Sequence, residues 1–392
     1  MKSTVKMLPN EKRASIGLAS IFGLRMLGMF IILPVFALYA LHLPGGEDKT
    51  LVGLALGAYG LTQALLQIPL GWLSDRVGRK PVIVGGLLVF ALGSLVAALA
   101  TNIHEIILGR AIQGAGAISA ALIALTADLT REVVRTQAMA MIGVTIGLTF
   151  SLSMILAPML YPLIGVPGIF ELTGILSLGA ILVVKWFVPN PVALPQPAGR
   201  TAFARVLGHG QLLRLNWGVF CLHASLMATF VVVPSSLIRA GLLQSEQWKL
   251  YLPVMLGSFV LMIPPVAFAH GKWRKQVFLA CVAVLVVAQL LMTRGLGSVA
   301  GIATALTVFF VAFNVLEASI PSLVTLVAPA DAKGTATGVY STIQFFGTFS
   351  GAFLGGVLFK YAGAQAVPLF CAGITVIWLV VAWSMRVDHI SA

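Results

Sequence analysis

Four ionisable side chains lie deep inside apolar stretches of this sequence: Arg25, Arg110, His223 and Glu317. An ionisable group surrounded by hydrocarbon is costly, so such residues persist where they bind, pair or carry something. Glu317 is the one acid well inside a stretch, since Glu171 lies near the end of its own. A carboxyl beside an imidazole can load and release a proton, which makes Glu317 and His223 a candidate protonatable pair. Arg25 offers a fixed cation, able to hold an anionic group of a substrate or to lock onto Glu317. Arg110 has Gln113 one turn away and could bind a substrate with it. Gln63 and Gln67 are one turn apart, and Asn314 is one turn from Glu317, which extends the set of cavity candidates. Each of these residues also has a plainer reading, as a static polar contact that fixes helix packing.

The elements that hold them are membrane spans. Of the 392 residues 59% are apolar and only 9% charged, where a soluble domain carries about 25% charged residues. So few charges cannot cover a surface in water. A bilayer core needs about 20 apolar residues per helix, and runs of that kind fall at residues 14–41, 50–73, 80–100, 103–127, 136–162, 166–189, 212–238, 247–270, 276–294, 298–328, 335–360 and 364–386. The runs are too long and too unbroken for barrel strands. The expected fold is therefore an all-α membrane protein of twelve transmembrane helices. Its net charge of +13 lies in short loops, without the long basic run or aromatic interleaving of a nucleic-acid binder. With the N-terminus placed in the cytoplasm, 18 Lys and Arg fall on the cytoplasmic side and five outside, with Arg25 and Arg110 inside spans. That asymmetry places both termini in the cytoplasm of a multi-pass cell inner membrane. The basic start runs into a span too long for a cleavable signal. Cys221, Cys281 and Cys371 each lie in an apolar run with no metal-type spacing.

The longest polar connection, residues 190–211, carries Pro191, Pro195 and Pro197 and reads as a cytoplasmic linker between an N-terminal six-helix bundle (1–189) and a C-terminal one (212–392). A faint repeat supports two halves. Ile68-Pro69 precedes Arg79-Lys80, and Ile263-Pro264 precedes Arg274-Lys275, at an offset of 195 residues throughout. In the second copy His270 stands for Asp75 and Trp273 for Gly78. Helical rise sets depth: at about 1.5 Å per residue, His223 and Glu317 both lie roughly 3–6 Å from the midplane, on the cytoplasmic side.

The loop after the second span reads Gly71-Trp72-Leu73-Ser74-Asp75-Arg76-Val77-Gly78-Arg79-Lys80. Here the sequence resembles the major facilitator superfamily, whose signature in that loop is Gly, x, Leu, small, Asp, Arg, x, Gly, Arg, Lys. The fourth span adds Arg110 followed by Gln113-Gly114-Ala115-Gly116, a second pattern of the family. The resemblance covers the chain and is to the drug/proton antiporter branch, with the YajR-type transporters, as in Arg25-Met26-Leu27-Gly28-Met29-Phe30. The chain ends too soon after span twelve for the soluble C-terminal domain of some relatives.

The resemblance implies two pseudo-symmetric six-helix bundles that rock around a central site. It implies that Gly71, Asp75, Arg76, Gly78, Arg79, Lys80 and Asp128 form a gating latch, with Arg79 paired to Asp128 and Asp75 meeting the start of span eleven when the protein faces outward. It gives Arg110 a role in proton coupling alongside Glu317 and His223. Chemically, Gly78 suits positive φ, Asp75 can cap a helix start, and Arg79 can grip a carboxylate. Glycines at spacing four, Gly53/Gly57, Gly143/Gly147 and Gly347/Gly351/Gly355, are expected as sliding surfaces on the seam.

Two departures from the pattern weaken the exporter reading. Span five keeps Pro158 without its flanking glycines, and span one has no acid. The expected function is export of small amphipathic compounds by alternating access in exchange for protons. The alternative is a proton-coupled symporter or facilitator of a sugar or organic anion. No nucleophile elbow or nucleotide loop supports an enzyme. The expected partners are the bilayer, a small-molecule substrate and protons, on a monomer with no nucleic acid, no metal and no cofactor beyond the proton gradient.

Overall fold

The computed structural model describes residues 6–190, 200–269, 273–329 and 332–385, and the described chain is helical throughout its apolar runs. The first span covers Pro9–His42. It breaks at Ile31 and Ile32 and re-forms as Leu33–Tyr39, because Pro34 has no N–H to continue the ladder. Spans two, three and four follow as Lys49–Val77, Arg79–Ala98 and Ile103–Asp128. Asp48 and Asn102 cap the second and fourth by accepting from Thr50 N and Glu105 N.

Spans five and six, within Glu132–Phe187, are two helices that follow one another with no polar loop between them. The break is at Gly165, at φ 65°, a backbone conformation open to glycine. The run must double back there. Arg131, just before it, holds Glu11, while Trp186, at its end, accepts from Arg13, so both ends sit beside the start of span one. Pro167 then opens span six, where a missing N–H costs nothing. Spans seven to twelve are Gly210–Arg239, Gln244–Phe268, Arg274–Gly295, Val299–Val327, Lys333–Ala362 and Ala366–Trp383. Span eight breaks at Met262 before Pro264 and Pro265, whereas span two runs unbroken through Pro69. The two repeat copies thus differ in backbone, and His270 and linker residues 191–199 lie outside the described residues.

The halves meet at the face remote from the termini. There Gly53, Gly57 and Gly60 of span two lie against the backbones of Ala352, Phe349 and Phe345 of span eleven, and Gly356 lies against Lys49 and Gly53. A Cβ at Gly53 would collide with the Ala352 carbonyl, so only glycine permits this approach. The other expected sliding surfaces are not on the seam. Gly347, Gly351 and Gly355 pack against Phe220, Ala224 and Ala228 of span seven, within their own half, and Gly143 and Gly147 face open space. Gly334 and Gly338, at the other end of span eleven, also face open space. The seam is therefore tight at the far face and parted towards the face bearing the termini.

Aromatic rings close the middle of the seam. Phe150 of span five packs on Phe30 with centroids 4.9 Å apart. It also meets Phe310, Phe230 and Phe313 of the other half at 5.5, 6.2 and 6.4 Å.

Replacing Gly53 by Leu is expected to pry the far face open. Spin labels at Glu47 and Tyr361, both exposed, should move apart by several ångströms relative to the parent protein, read by pulsed electron resonance; an unchanged distance distribution would contradict the packing argument.

Candidate functional site

The C-terminal half brings its two ionisable residues together. His223 Nε2 lies 3.5 Å from Glu317 Oε2, with the imidazole buried and the carboxyl about a quarter exposed at 25%. Span seven buries nearly its whole central stretch, which holds the ring, and Phe313 packs edge-on against it at 5.9 Å. His223 Nδ1 is 3.2 Å from the Val219 carbonyl, which can only accept. That nitrogen therefore carries the proton in the neutral ring, and Nε2 presents a lone pair. A third residue joins them: Gln344 of span eleven places its amide nitrogen 2.8 Å from His223 Nε2 and 3.3 Å from Glu317 Oε1. Asn314 turns away from the pair, donating to Ser258 of span eight at 3.3 Å.

The N-terminal half answers its two arginines without an acid. Arg25 donates to Gln63 Oε1 and to Ser119, and Gln63 donates to Gln67 at 2.8 Å. Arg25, Gln63 and Gln67 are all buried, and no bond joins Arg25 to Glu317 among the described contacts. Arg25 Nε and Gln67 Nε2 have no protein acceptor. Arg110 is fully buried rather than cavity-lining. It donates to the Gly28 carbonyl at 3.2 Å and to Gln113 Oε1 at 2.8 Å, and Gln113 donates to Ser94 at 2.7 Å. This chain ties span four to spans one and three. Tyr59 stands between the cations, its ring 4.9 Å from the Arg110 guanidinium carbon and 5.9 Å from that of Arg25. An aromatic face offers a buried cation attraction that needs no counter-ion.

The signature loop folds around Arg79. Its guanidinium reaches Asp128 Oδ2 at 3.1 Å through Nε, and Ser74 at 2.7 Å and Asp75 through Nη1. Asp75 thus pairs within its own loop and caps no helix start; span three begins at Gly78, φ 98°, without a side-chain cap. Lys80 donates to the Val188 carbonyl at 2.6 Å, and Arg76 lies over the Trp72 ring at 3.7 Å in an exposed position. Gly71 lets span two approach Ala120. Among the described residues Asp75 makes no bond to the start of span eleven; its partner in this state is Arg79.

Among the described residues, two hydrogen bonds cross between the halves at the far face. Lys360 donates to Asp48 Oδ2 at 2.7 Å, and Gln244 donates to the Val35 carbonyl at 3.3 Å. The Lys360 bond holds the Asp48 carboxyl below its ordinary range. Sequence reasoning missed Gln344, Tyr59, Ser119 and this ion pair. The signal for Gln344 was present, as an amide in the middle of an otherwise apolar, glycine-rich helix. A groove of about 570 Å³ lined by Leu242, Pro253 and Thr307 opens between spans eight and ten, away from the pair.

Comparison with known proteins bears on the family and the fold. The profile of the Major Facilitator Superfamily matches residues 18–349. The chain is 47% identical over 386 residues to the inner membrane transport protein YajR of Escherichia coli K12, covering 97% of this chain and 85% of that protein. It is 27% identical to the multidrug resistance protein MdtH of Aeromonas salmonicida, over 91% of each. The structure of a bacterial homologue of the human lysosomal transporter Spinster, inward-facing and occupied, superimposes with a TM-score of 0.75 at 13% identity, over 96% of this chain and 97% of that one.

Two outcomes test the electrostatics. Asp128→Asn should cost about 1–3 kcal/mol, because it strips a charged partner from a nearly buried guanidinium. A double-mutant cycle with Ser74→Ala should then show coupling, read by thermal melting in detergent. At the far face, a depressed carboxyl stabilises the closed arrangement at neutral pH. That contribution is lost only as pH falls through the lowered value. The Glu47–Tyr361 label distance should therefore lengthen on acidification, and Asp48→Asn should abolish that dependence.

Proposed function

Since the chain belongs to the major facilitator superfamily and is a multi-pass inner-membrane transporter rather than an enzyme, we propose that it exports small amphipathic compounds in exchange for protons, by rocking the 1–189 bundle against the 212–392 bundle. The observation that carries this reading is the His223–Glu317 pair, a carboxyl and an imidazole 3.5 Å apart near mid-membrane. Pairs of this kind can exchange a proton as solvent access changes. In this state the far face is sealed by the Gly53–Ala352 approach, the Phe150 rings and the Asp48–Lys360 bond. The parted face carries the termini and the basic loops, and that charge bias assigns it to the cytoplasm. The pair is then open to the cytoplasm, where an exchanger releases its proton and loads cargo. The apolar and aromatic lining suits cargo held by shape and burial rather than by a fixed set of polar contacts. The MdtH relative supports a drug-like cargo.

In this mechanism Arg79, Asp75 and Asp128 hold the end of span two against span four while the cytoplasmic face is open. The same groups become available to span eleven when that face closes. The protein works as a monomer, with the proton gradient as its energy source. A second reading, a symporter or facilitator of a sugar or organic anion, draws on one observation. The Arg25 cluster holds more donors than acceptors, and two of those donors are unpartnered.

Purified protein in energised inverted vesicles distinguishes these readings. Lipophilic cations, sugars and organic anions are added in turn while the internal pH is followed. A lipophilic compound should dissipate the gradient through the parent protein, and the response should fall to background in Glu317→Gln. Proton movement that survives in Glu317→Gln removes the pair from the mechanism. Labelled sugar or organic anion crossing without proton movement favours the second reading.

A further inference from the structure

We propose that Gln344 is the positioning residue that converts proton loading at the His223–Glu317 pair into release of span eleven; this rests on that pair being the proton site. The argument is one of donors and acceptors. Val219 can only accept, so the neutral imidazole keeps its proton on Nδ1 and leaves a lone pair on Nε2. An ionised Glu317 is also acceptor-only. The Gln344 amide nitrogen has two N–H groups, and the structure gives it two acceptors, His223 Nε2 at 2.8 Å and Glu317 Oε1 at 3.3 Å. In the unloaded pair both Gln344 donors are met, while Glu317 Oε2 has no hydrogen-bond partner and faces the Nε2 lone pair.

A proton entering the pair has two resting places. It sits on Nε2 and is donated to Glu317 Oε2, or it sits on Oε2 and is donated to Nε2, across the present 3.5 Å gap. Both placements use the Nε2 lone pair. In both, Gln344 loses its acceptor on His223, and a half-buried donor left without a partner is disfavoured. The amide must then turn over or leave. A proton on Oε2 turned away from the ring would keep both Gln344 bonds but give up the bond to Nε2, so the two shared placements are the ones that displace the amide.

The location of Gln344 makes this consequential. Span eleven is the helix whose Phe345, Phe349, Ala352 and Gly356 meet span two across the seam. Gln344 adjoins that contact, so its bond to span seven ties the seam helix to its own half only while the pair is empty. Tyr340, one turn earlier on the same face, is buried, has no partner for its hydroxyl and lies within electrostatic reach of Glu317. It stands ready to meet the carboxyl when Gln344 leaves. The titratable groups facing Glu317 are thus His223 from span seven and Tyr340 from span eleven.

The test needs no transport substrate. The infrared carbonyl band of a protonated carboxyl is titrated against pH in purified protein, and Glu317 is assigned by the band missing from Glu317→Gln. Gln344→Met keeps the length and removes both donors. It should move the midpoint of that band to higher pH by about one unit, the size of one hydrogen bond to a charged group. Gln344→Asn, which keeps the donors but cannot span both partners, should fall between and guards against a folding defect in the first variant. Hydrogen exchange across 345–360 should rise below the midpoint in the parent protein and lose that pH dependence in Gln344→Met. Midpoints unchanged in both variants, with Glu317 still titrating, would overturn the role of Gln344 while leaving the proton site in place. A titrating band that persists in Glu317→Gln would overturn both.

Discussion

Polar groups inside a bilayer have no water to fall back on, and the arrangement of this protein follows from that single constraint. A buried donor or charge left without a protein partner there is costly. The two halves meet the requirement in different ways. The N-terminal half surrounds two permanent cations with amides, hydroxyls, a carbonyl and one aromatic ring, and the result is a fixed scaffold in which Arg110 ties span four to spans one and three. The C-terminal half uses groups whose charge can change, and the result is a set of bonds that cannot all persist through a protonation cycle. One half is built to stay as it is and the other to respond.

The seam between them uses the opposite economy, with almost no polar contact. Glycine at Gly53, Gly57, Gly60 and Gly356 removes side chains where backbones must approach, and bulky rings from Phe150, Phe230, Phe310 and Phe313 fill the space nearer mid-membrane. Neither device has directional bonds to break, so the halves can part without leaving a donor stranded. The directional contacts across the far face, Asp48 with Lys360 and Gln244 with Val35, sit at its rim, where water can take over.

Much of this was legible in the sequence. Span length and charge composition gave the twelve helices within a few residues, because the bilayer imposes both. Helical rise alone put His223 and Glu317 at one depth, and the structure brings them into contact. The signature loop pointed to Arg79 and Asp128 as partners, which the fold places 3.1 Å apart. The reversal at Gly165 falls in the gap between the runs 136–162 and 166–189. Two things were not legible. Glycine spacing of four identifies a close approach but not the neighbour, which is why Gly347, Gly351 and Gly355 were assigned to the seam although they face span seven. Gln344 was overlooked because, unlike Gln63, Gln67, Gln113 and Asn314, it has no charged or amide neighbour one turn away in the sequence, although an amide can take part in proton chemistry by competing for a lone pair.

The three cross-seam ring contacts all pass through one side chain, Phe150. The septum that insulates one aqueous reservoir from the other therefore has a single keystone. At about 0.5–1.5 kcal/mol for each aromatic pair, its removal from the opposing rings forfeits only a few kcal/mol. That is enough to keep the barrier shut most of the time and little enough to be overcome by ordinary thermal motion. Because one ring serves all three contacts, they fail together.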